Sequence, residues 1–248
     1  MHTTYSMRTT IKYGHEPSQF GELYIPKTRC IGVVCLLHGG FWTMPYGLEQ
    51  FHEIANELSG LGYCIWNIEY RRIGEKDRKW TDTFDDAINA VNEIPNIKNS
   101  YKQIGTNTVF VAGHSAGGHL AIWLNSQKLK VNVQKFIGLS PILDLELAYN
   151  ENSGNGAVEK LLYGKPGQFP DRYLYGSPVN QLTKNSPELI IHGKLDKDVP
   201  IKWSELYYEK MKLTGKVSFI ELDNCGHMDF IDPKSGAFDT LKSSLSDS

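Results

Sequence analysis

The sequence predicts the α/β class, a mainly parallel sheet with helices on both faces. Two observations carry this. Strand-like and helix-like segments alternate along the chain, and most of the strand-like ones are continuous apolar runs, as expected for strands covered on both sides. At 248 residues the chain has the length of one large domain with a substantial core.

Taken in order, two loosely alternating segments at 9–13 and 21–25 predict an antiparallel hairpin at one sheet edge. The runs IGVVCLL (31–37), YCIWNI (63–68), TVFVAG (108–113), VQKFIGLS (133–140), PELIIHG (187–193) and VSFIEL (217–222) then predict six further strands, making eight. Between them, Leu48, Phe51, Ile54 and Leu58 recur at helical spacing, as do Phe84, Ala87, Val91 and Ile94. The second of these helices is expected to stop at Pro95. Residues 117–127 are apolar on nearly all sides, which suits a helix buried against the sheet. One stretch breaks the rhythm. From 144 to 182 the chain is rich in Gly, Asn and Pro and carries Tyr149, Tyr163, Tyr173 and Tyr175. So long an interval between strands is expected to be functional, here a small lid with a short helix at 157–162 inserted in a single domain spanning 1–248.

Composition excludes several classes. The net charge of −2, with 22% charged residues, leaves no footprint for nucleic acid or anionic lipid. No apolar run approaches the roughly 20 residues that span a bilayer, and the opening MHTTYSMRTTIKYG lacks a stretch of signal-peptide length. Cys30, Cys35, Cys64 and Cys225 have neither CxxC nor metal-finger spacing, so reduced buried thiols in a cytoplasmic protein are expected. Cys30 and Cys35 would face opposite sides of one regular strand. No metal or cofactor is expected; monomer and homodimer both stay open.

The sharpest signal is VFVAGHSAGGHLAIW, where Gly113-His114-Ser115-Ala116-Gly117 fits G-x-S-x-G between a β-branched strand and a helix. A serine on such a turn is exposed at the end of the sheet, and the following helix points its first N–H groups at the same spot. A hydroxyl needs a base, and the base an orienting acid, in the chain order Ser, Asp or Glu, His. Downstream, LIIHGKLDKDVP ends a strand and offers Asp196 and Asp198, and FIELDNCGHMDF ends the last strand and offers His227. Asp196 is the choice for the acid, because Asp198 directly precedes Val-Pro at a helix start, where a helix-starting role accounts for it. His119 and His192 have structural explanations, and His2, His15 and His52 lack neighbours that would make a catalytic case. Attack on a carbonyl creates an oxyanion that needs fixed donors. One is the N–H of Ala116, and the second comes from Gly40 or Phe41 in CLLHGGFW, where the glycines keep the backbone unobstructed. Trp42, His114, Tyr163 and Tyr173 are the residues expected to line the substrate.

From about residue 21 to 238 the chain resembles the α/β-hydrolase superfamily of serine esterases. HGGFW is similar to the H-G-G-x-W segment of kynurenine formamidases (arylformamidases) and of feruloyl-esterase-like carboxylesterases. NIEYRR (67–72) is similar to their [D/E]-Y-R segment, and HGKLDKDVP to their H-G-x-x-D-x-x-V-P acid loop. The resemblance implies a triad of Ser115, Asp196 and His227, an oxyanion hole of Gly40, Phe41 and Ala116, and a bracing role for Glu69 and Arg71. Without a propeller ahead of the domain, an oligopeptidase of the prolyl type is disfavoured. The readings left open are a carboxylesterase acting on a small-molecule ester, an arylformamidase-like amidase, and a non-catalytic binder retaining the fold.

Overall fold

The apolar runs become the centre of one eight-stranded sheet, in a computed structural model that describes residues 4–246. The strands are β1 (Tyr5–Lys12), β2 (Phe20–Pro26), β3 (Gly32–Leu37), β4 (Tyr63–Ile68), β5 (Val109–His114), β6 (Lys135–Leu139), β7 (Glu188–Gly193) and β8 (Val217–Leu222). Their order is β1-β2-β4-β3-β5-β6-β7-β8. Pairing is parallel from β4 across to β8, and β1 and β2 add an antiparallel edge. Every residue of β3, β4, β5 and β7 is buried, which is why these runs carry no polar alternation.

Helices cover both faces. α1 (His52–Gly60) and α9 (Gly236–Ser246) pack with Val34, Leu36, Ile65 and Ala112 on one side. α2 (Asp82–Val91), α4 (Ala116–Leu124) and α8 (Ile201–Met211) pack with Cys35, Leu37, Trp66 and Val111 on the other. Successive strand residues thus feed opposite layers, as the period of two requires. Every residue of α4 is buried, so its lack of an amphipathic face reflects its place in the middle.

Two local expectations are corrected. Pro95 does not merely end α2; it opens α3 (Ile94–Ser100), since proline is compatible with a first helical turn, where no N–H is needed. Cys30 precedes β3 and joins the same core layer as Cys35, so strand parity does not apply to the pair. The insertion at 144–182 folds as α5 (Leu145–Asn150), α6 (Ala157–Leu162) and α7 (Pro170–Gly176). Asp144 caps α5 by accepting from the N–H groups of Glu146 and Leu147, and Leu145, Leu161, Leu162 and Tyr173 anchor the insertion in the core. Among the described residues no helix is long and apolar enough to cross a membrane.

After β3 the chain moves to one side, to β4, and then returns past β3 to β5 on the other. The loops leaving the carboxyl ends of β3 and β5 therefore diverge and leave a crevice, the usual ligand position in open α/β sheets.

Candidate active site

Ser115 stands at this crevice, alone between the end of β5 and the start of α4, with φ 56° and ψ −117°. The turn is sharp enough that flanking side chains would collide. A Cβ on Gly117 would lie 1.9 Å from the Leu37 carbonyl oxygen, and one on Gly113 would lie 2.1 Å from that of Gly117. Ser115 N–H donates to Leu139 at 2.8 Å, tying the turn to β6. Its Oγ has no hydrogen-bond partner among the described residues. The Ala116 N–H, first in α4, has no intrahelical acceptor.

Asp196 follows the end of β7, and His227 opens a 3₁₀ turn (His227–Ile231) after β8. His227 Nδ1 lies 2.7 Å from Asp196 Oδ2. The other carboxylate oxygen accepts the N–H groups of Asp198 and Val199, each at 2.9 Å. His192 Nε2 adds a contact to Oδ2 at 3.3 Å. Burial acts to raise the Asp196 carboxyl, but the bonds from His192 and His227 outweigh it and hold the group far below the ordinary carboxylate range. Asp196 is therefore an anion, His227 carries its proton on Nδ1, and Nε2 is the free basic nitrogen. Asp198 serves the turn through its backbone and is not the cap of α8, whose N-cap is Pro200.

His114 joins the elbow to the His227 loop. Its Nε2 lies 2.9 Å from the His227 carbonyl, and the two rings are 4.5 Å apart. With Nε2 donating, Nδ1 is a bare acceptor, buried without a partner. Burial first, and the nearby His227 second, push the His114 imidazole down to about 3, so it is neutral.

The loop after β3 has an equally specific foundation. His38 is fully buried, with Nε2 at 2.8 Å from Glu69 Oε1 and Nδ1 at 2.8 Å from the Gly39 carbonyl. Its ring stacks on Tyr70 at 4.2 Å, and the Tyr70 hydroxyl donates to the His38 carbonyl at 2.7 Å. Burial acts to raise the Glu69 carboxyl, yet His38 and Arg72 lower it further than burial lifts it. Arg71 grips Asp86 through Nε and one terminal nitrogen, at 2.8 and 2.7 Å, and Asp82 at 2.9 Å. On that base the chain turns left-handed three times, at Gly40 (φ 100°), Phe41 (φ 50°) and Trp42 (φ 55°). For the two aromatic residues this costs on the order of 1–3 kcal/mol each. The N–H groups of Gly40 and Phe41 take no acceptor among the described residues.

The expected substrate-lining set needs correction. Trp42 is 0% exposed, and its indole N–H donates to His119 Nδ1 at 3.2 Å. Its positive φ turns the side chain into the core instead of toward the crevice. Tyr173 is 1% exposed and donates to the Gly164 carbonyl, as a core residue of the insertion. Tyr163 is 48% exposed, but its hydroxyl donates to the Arg78 carbonyl, and no hydrogen bond or ring contact links it to Ser115 or His227. His114 is 2% exposed and bonds His227. The residues that sequence reasoning missed are His192 and His119. The first had a signal in its place four residues before Asp196, and the second had none, since its partners are remote in the chain. His2 lies outside the described residues.

Among the described residues one group of three ligand-type side chains converges, Asp196, Asp198 and His227, with donor atoms within 4.8 Å of one another. Both Asp196 oxygens and His227 Nδ1 are already committed to hydrogen bonds, so the group fits an acid–base pair with an exposed neighbour better than a ligand cage.

Comparison with solved structures places the fold. A truncated carbohydrate esterase from gut microbiota is similar at TM-score 0.82 and 20% identity, over 99% of this chain and 97% of that one. Esterase B from Lactobacillus rhamnosis is similar at 0.77 and 16%, over 97% and 84%. A bifunctional GH43-CE protein of Bacteroides eggerthii is similar at 0.79 and 21%, over 95% of this chain, which spans only 37% of that longer one. Among curated proteins nothing matches the sequence. The BD-FAE family pattern, by contrast, matches residues 22–211, most of the sheet together with the elbow and the acid loop. On that match the chain belongs to the BD-FAE family, α/β-hydrolase-type esterases.

Proposed function

We propose that this protein is a serine carboxylesterase working through an acyl-enzyme, with Ser115, His227 and Asp196 as nucleophile, base and orienting acid. The observation that carries the reading is the buried Asp196–His227 pair, held through His114 at the same rim as the Ser115 elbow. Ser115 Oγ attacks the ester carbonyl carbon while His227 Nε2 takes its proton. The oxyanion is met by the N–H of Ala116 and that of Gly40 or Phe41. His227 then returns the proton to the leaving alkoxide as the tetrahedral intermediate collapses. Water, deprotonated by the same nitrogen, attacks the acyl-enzyme; the bond to Ser115 Oγ breaks, His227 returns the proton to Oγ, and the carboxylic acid leaves. Asp196 remains ionised throughout and stabilises the transient imidazolium.

The test is Ser115→Ala with p-nitrophenyl acetate, together with labelling of the wild type by a fluorophosphonate. Turnover is expected to fall by about 10⁶-fold and label to attach at Ser115. Retention of more than a tenth of the activity would overturn the assignment, and an unlabelled, inactive wild type would favour the non-catalytic binder. An acetylated sugar, a feruloyl ester and N-formylkynurenine complete the panel. The first tests the substrate class named for the gut carbohydrate esterase. The last tests amide cleavage, which H-G-G-F-W supports by resemblance alone. A cytoplasmic location is proposed on the four free, buried cysteines.

A further inference from the structure

Phe41 and Trp42 occupy consecutive left-handed positions that non-glycine residues hold only when their surroundings fix them. The body of the domain supplies part of the fixing, since Ile73 N–H donates to the Trp42 carbonyl at 2.7 Å and Thr43 N–H to that of Gly40 at 2.9 Å. The rest comes from the insertion. The Phe41 ring lies against Gly154, where an added Cβ would sit 2.4 Å from Phe41 Cδ1. The Trp42 indole donates to His119 Nδ1, and His119 Nε2 donates in turn to the Gly176 carbonyl at 2.8 Å, at the end of α7. His119 also donates its backbone N–H to the Ser115 carbonyl at 2.9 Å. The His119 backbone thus bonds the nucleophile's carbonyl as part of the α4 ladder, while its fully buried imidazole ties the loop that carries the Phe41 N–H to the insertion. Its two nitrogens play opposite roles, one accepting and one donating, which defines a single neutral tautomer.

We infer that His119 is a positioning residue. It locks the oxyanion-donor loop in register with Ser115 and makes the 144–182 insertion part of the catalytic scaffold, not only a cover. The inference rests on the serine-esterase reading. Loss of the Trp42–His119–Gly176 chain leaves Ser115, Asp196 and His227 in place and lets the Gly40–Phe41 peptide drift from the position where an oxyanion forms.

Three variants test it. His119→Phe keeps a ring and removes both bonds, His119→Gln supplies an acceptor and a donor again, and Trp42→Phe removes the indole N–H together with part of a buried ring system. Rates with p-nitrophenyl acetate are normalised to sites titrated by the fluorophosphonate, so that unfolded protein does not count. His119→Phe is expected to lower kcat by about 10–100-fold with KM moved less than about threefold. Affinity for a boronic acid, which forms an oxyanion-like adduct on the serine, weakens by the same factor as kcat. His119→Gln recovers most of the loss, and adding Trp42→Phe to His119→Phe costs nothing more because both break one chain. A normalised kcat within twofold of wild type in His119→Phe overturns the inference, as does a loss confined to KM. If His119→Phe does not fold, Trp42→Phe carries the same test. Activity surviving in Ser115→Ala would instead sink the esterase reading, so the two failures are distinguishable.

Discussion

Two buried neutral histidines should make this fold acid-sensitive well above the range where carboxylates titrate. Burial lowers His119 from 6.5 to about 4 against the opposing bond to Gly176, and burial with the neighbouring His227 lowers His114 to about 3. Both folded values lie below the unfolded one, so the unfolded chain binds the extra protons. Stability is then complete above about pH 6.5 and is lost as the pH falls toward 4 and 3. At pH 5 an unfolded histidine is almost wholly protonated and these two folded ones almost wholly neutral. Linkage therefore removes about 2 kcal/mol per residue between pH 8 and pH 5, about 4 kcal/mol together. Asp196 does not confuse this window, since its depressed value makes its contribution fade only below the unfolded carboxylate range near 3.9. Urea unfolding followed by tryptophan fluorescence at pH 8, 6.5 and 5 measures the loss directly. His119→Gln should lose about 2 kcal/mol less than wild type over the same interval, whatever its stability at pH 8. Equal losses in the two proteins would refute the reasoning, because His119 would then not be a buried base forced to stay neutral.

Asp196→Asn keeps the shape of the acid loop but removes the charge that fixes the His227 tautomer, and kcat/KM should drop about 10⁴-fold at neutral pH. Asp198→Asn should stay within a few-fold in the same assay, because only its backbone serves the acid. Gly117→Ala should yield insoluble or unfolded protein, visible in expression and circular dichroism, because its Cβ would meet backbone of β3. Phe84 is fully buried among the rings of Trp80, His119, Trp123 and Tyr175. Phe84→Ala should therefore lower the unfolding free energy by about 3–5 kcal/mol in urea titrations.

How much of this is legible in the chain depends on the range of the interactions concerned. Strands buried on both faces announce themselves as unbroken apolar runs, and the elbow announces itself because Gly113 and Gly117 are steric necessities of one local turn. Side-chain direction at Trp42 has no local signature. Its φ of 55° reverses the side chain relative to an extended residue, and the partner that receives it, His119, stands 77 residues away. Tyr173 is misleading for a related reason. Tyrosines in a polar insertion suggest a wet surface, whereas this one completes a layer of core whose other members come from distant elements. Pro95 shows that a breaker residue marks a boundary without saying on which side the helix lies.

Parallel pairing is what turns scattered residues into one site. β5, β6, β7 and β8 run in the same direction, so the loops carrying Ser115, Asp196 and His227 all leave the sheet along one edge. β6 intervenes between the elbow and the acid strand, and its Leu139 carbonyl accepts the Ser115 N–H. His227 must therefore reach back from the sheet's far edge, across β7 and β6, to approach β5. Two contacts make that reach possible: Asp196, rising from β7, takes Nδ1, and His114, on the elbow itself, takes the main-chain carbonyl. The acid loop holds this segment at two points, since Leu195 N–H also donates to the Cys225 carbonyl at 3.0 Å, and His114 adds the hydrogen bond that ties it to the elbow. On this view the x of G-H-S-A-G is no free choice here, and His114→Ala should loosen the base while leaving all three triad side chains present. A kcat deficit larger than tenfold in His114→Ala, with fluorophosphonate labelling slowed in proportion, would support that dependence, and unchanged labelling would break it.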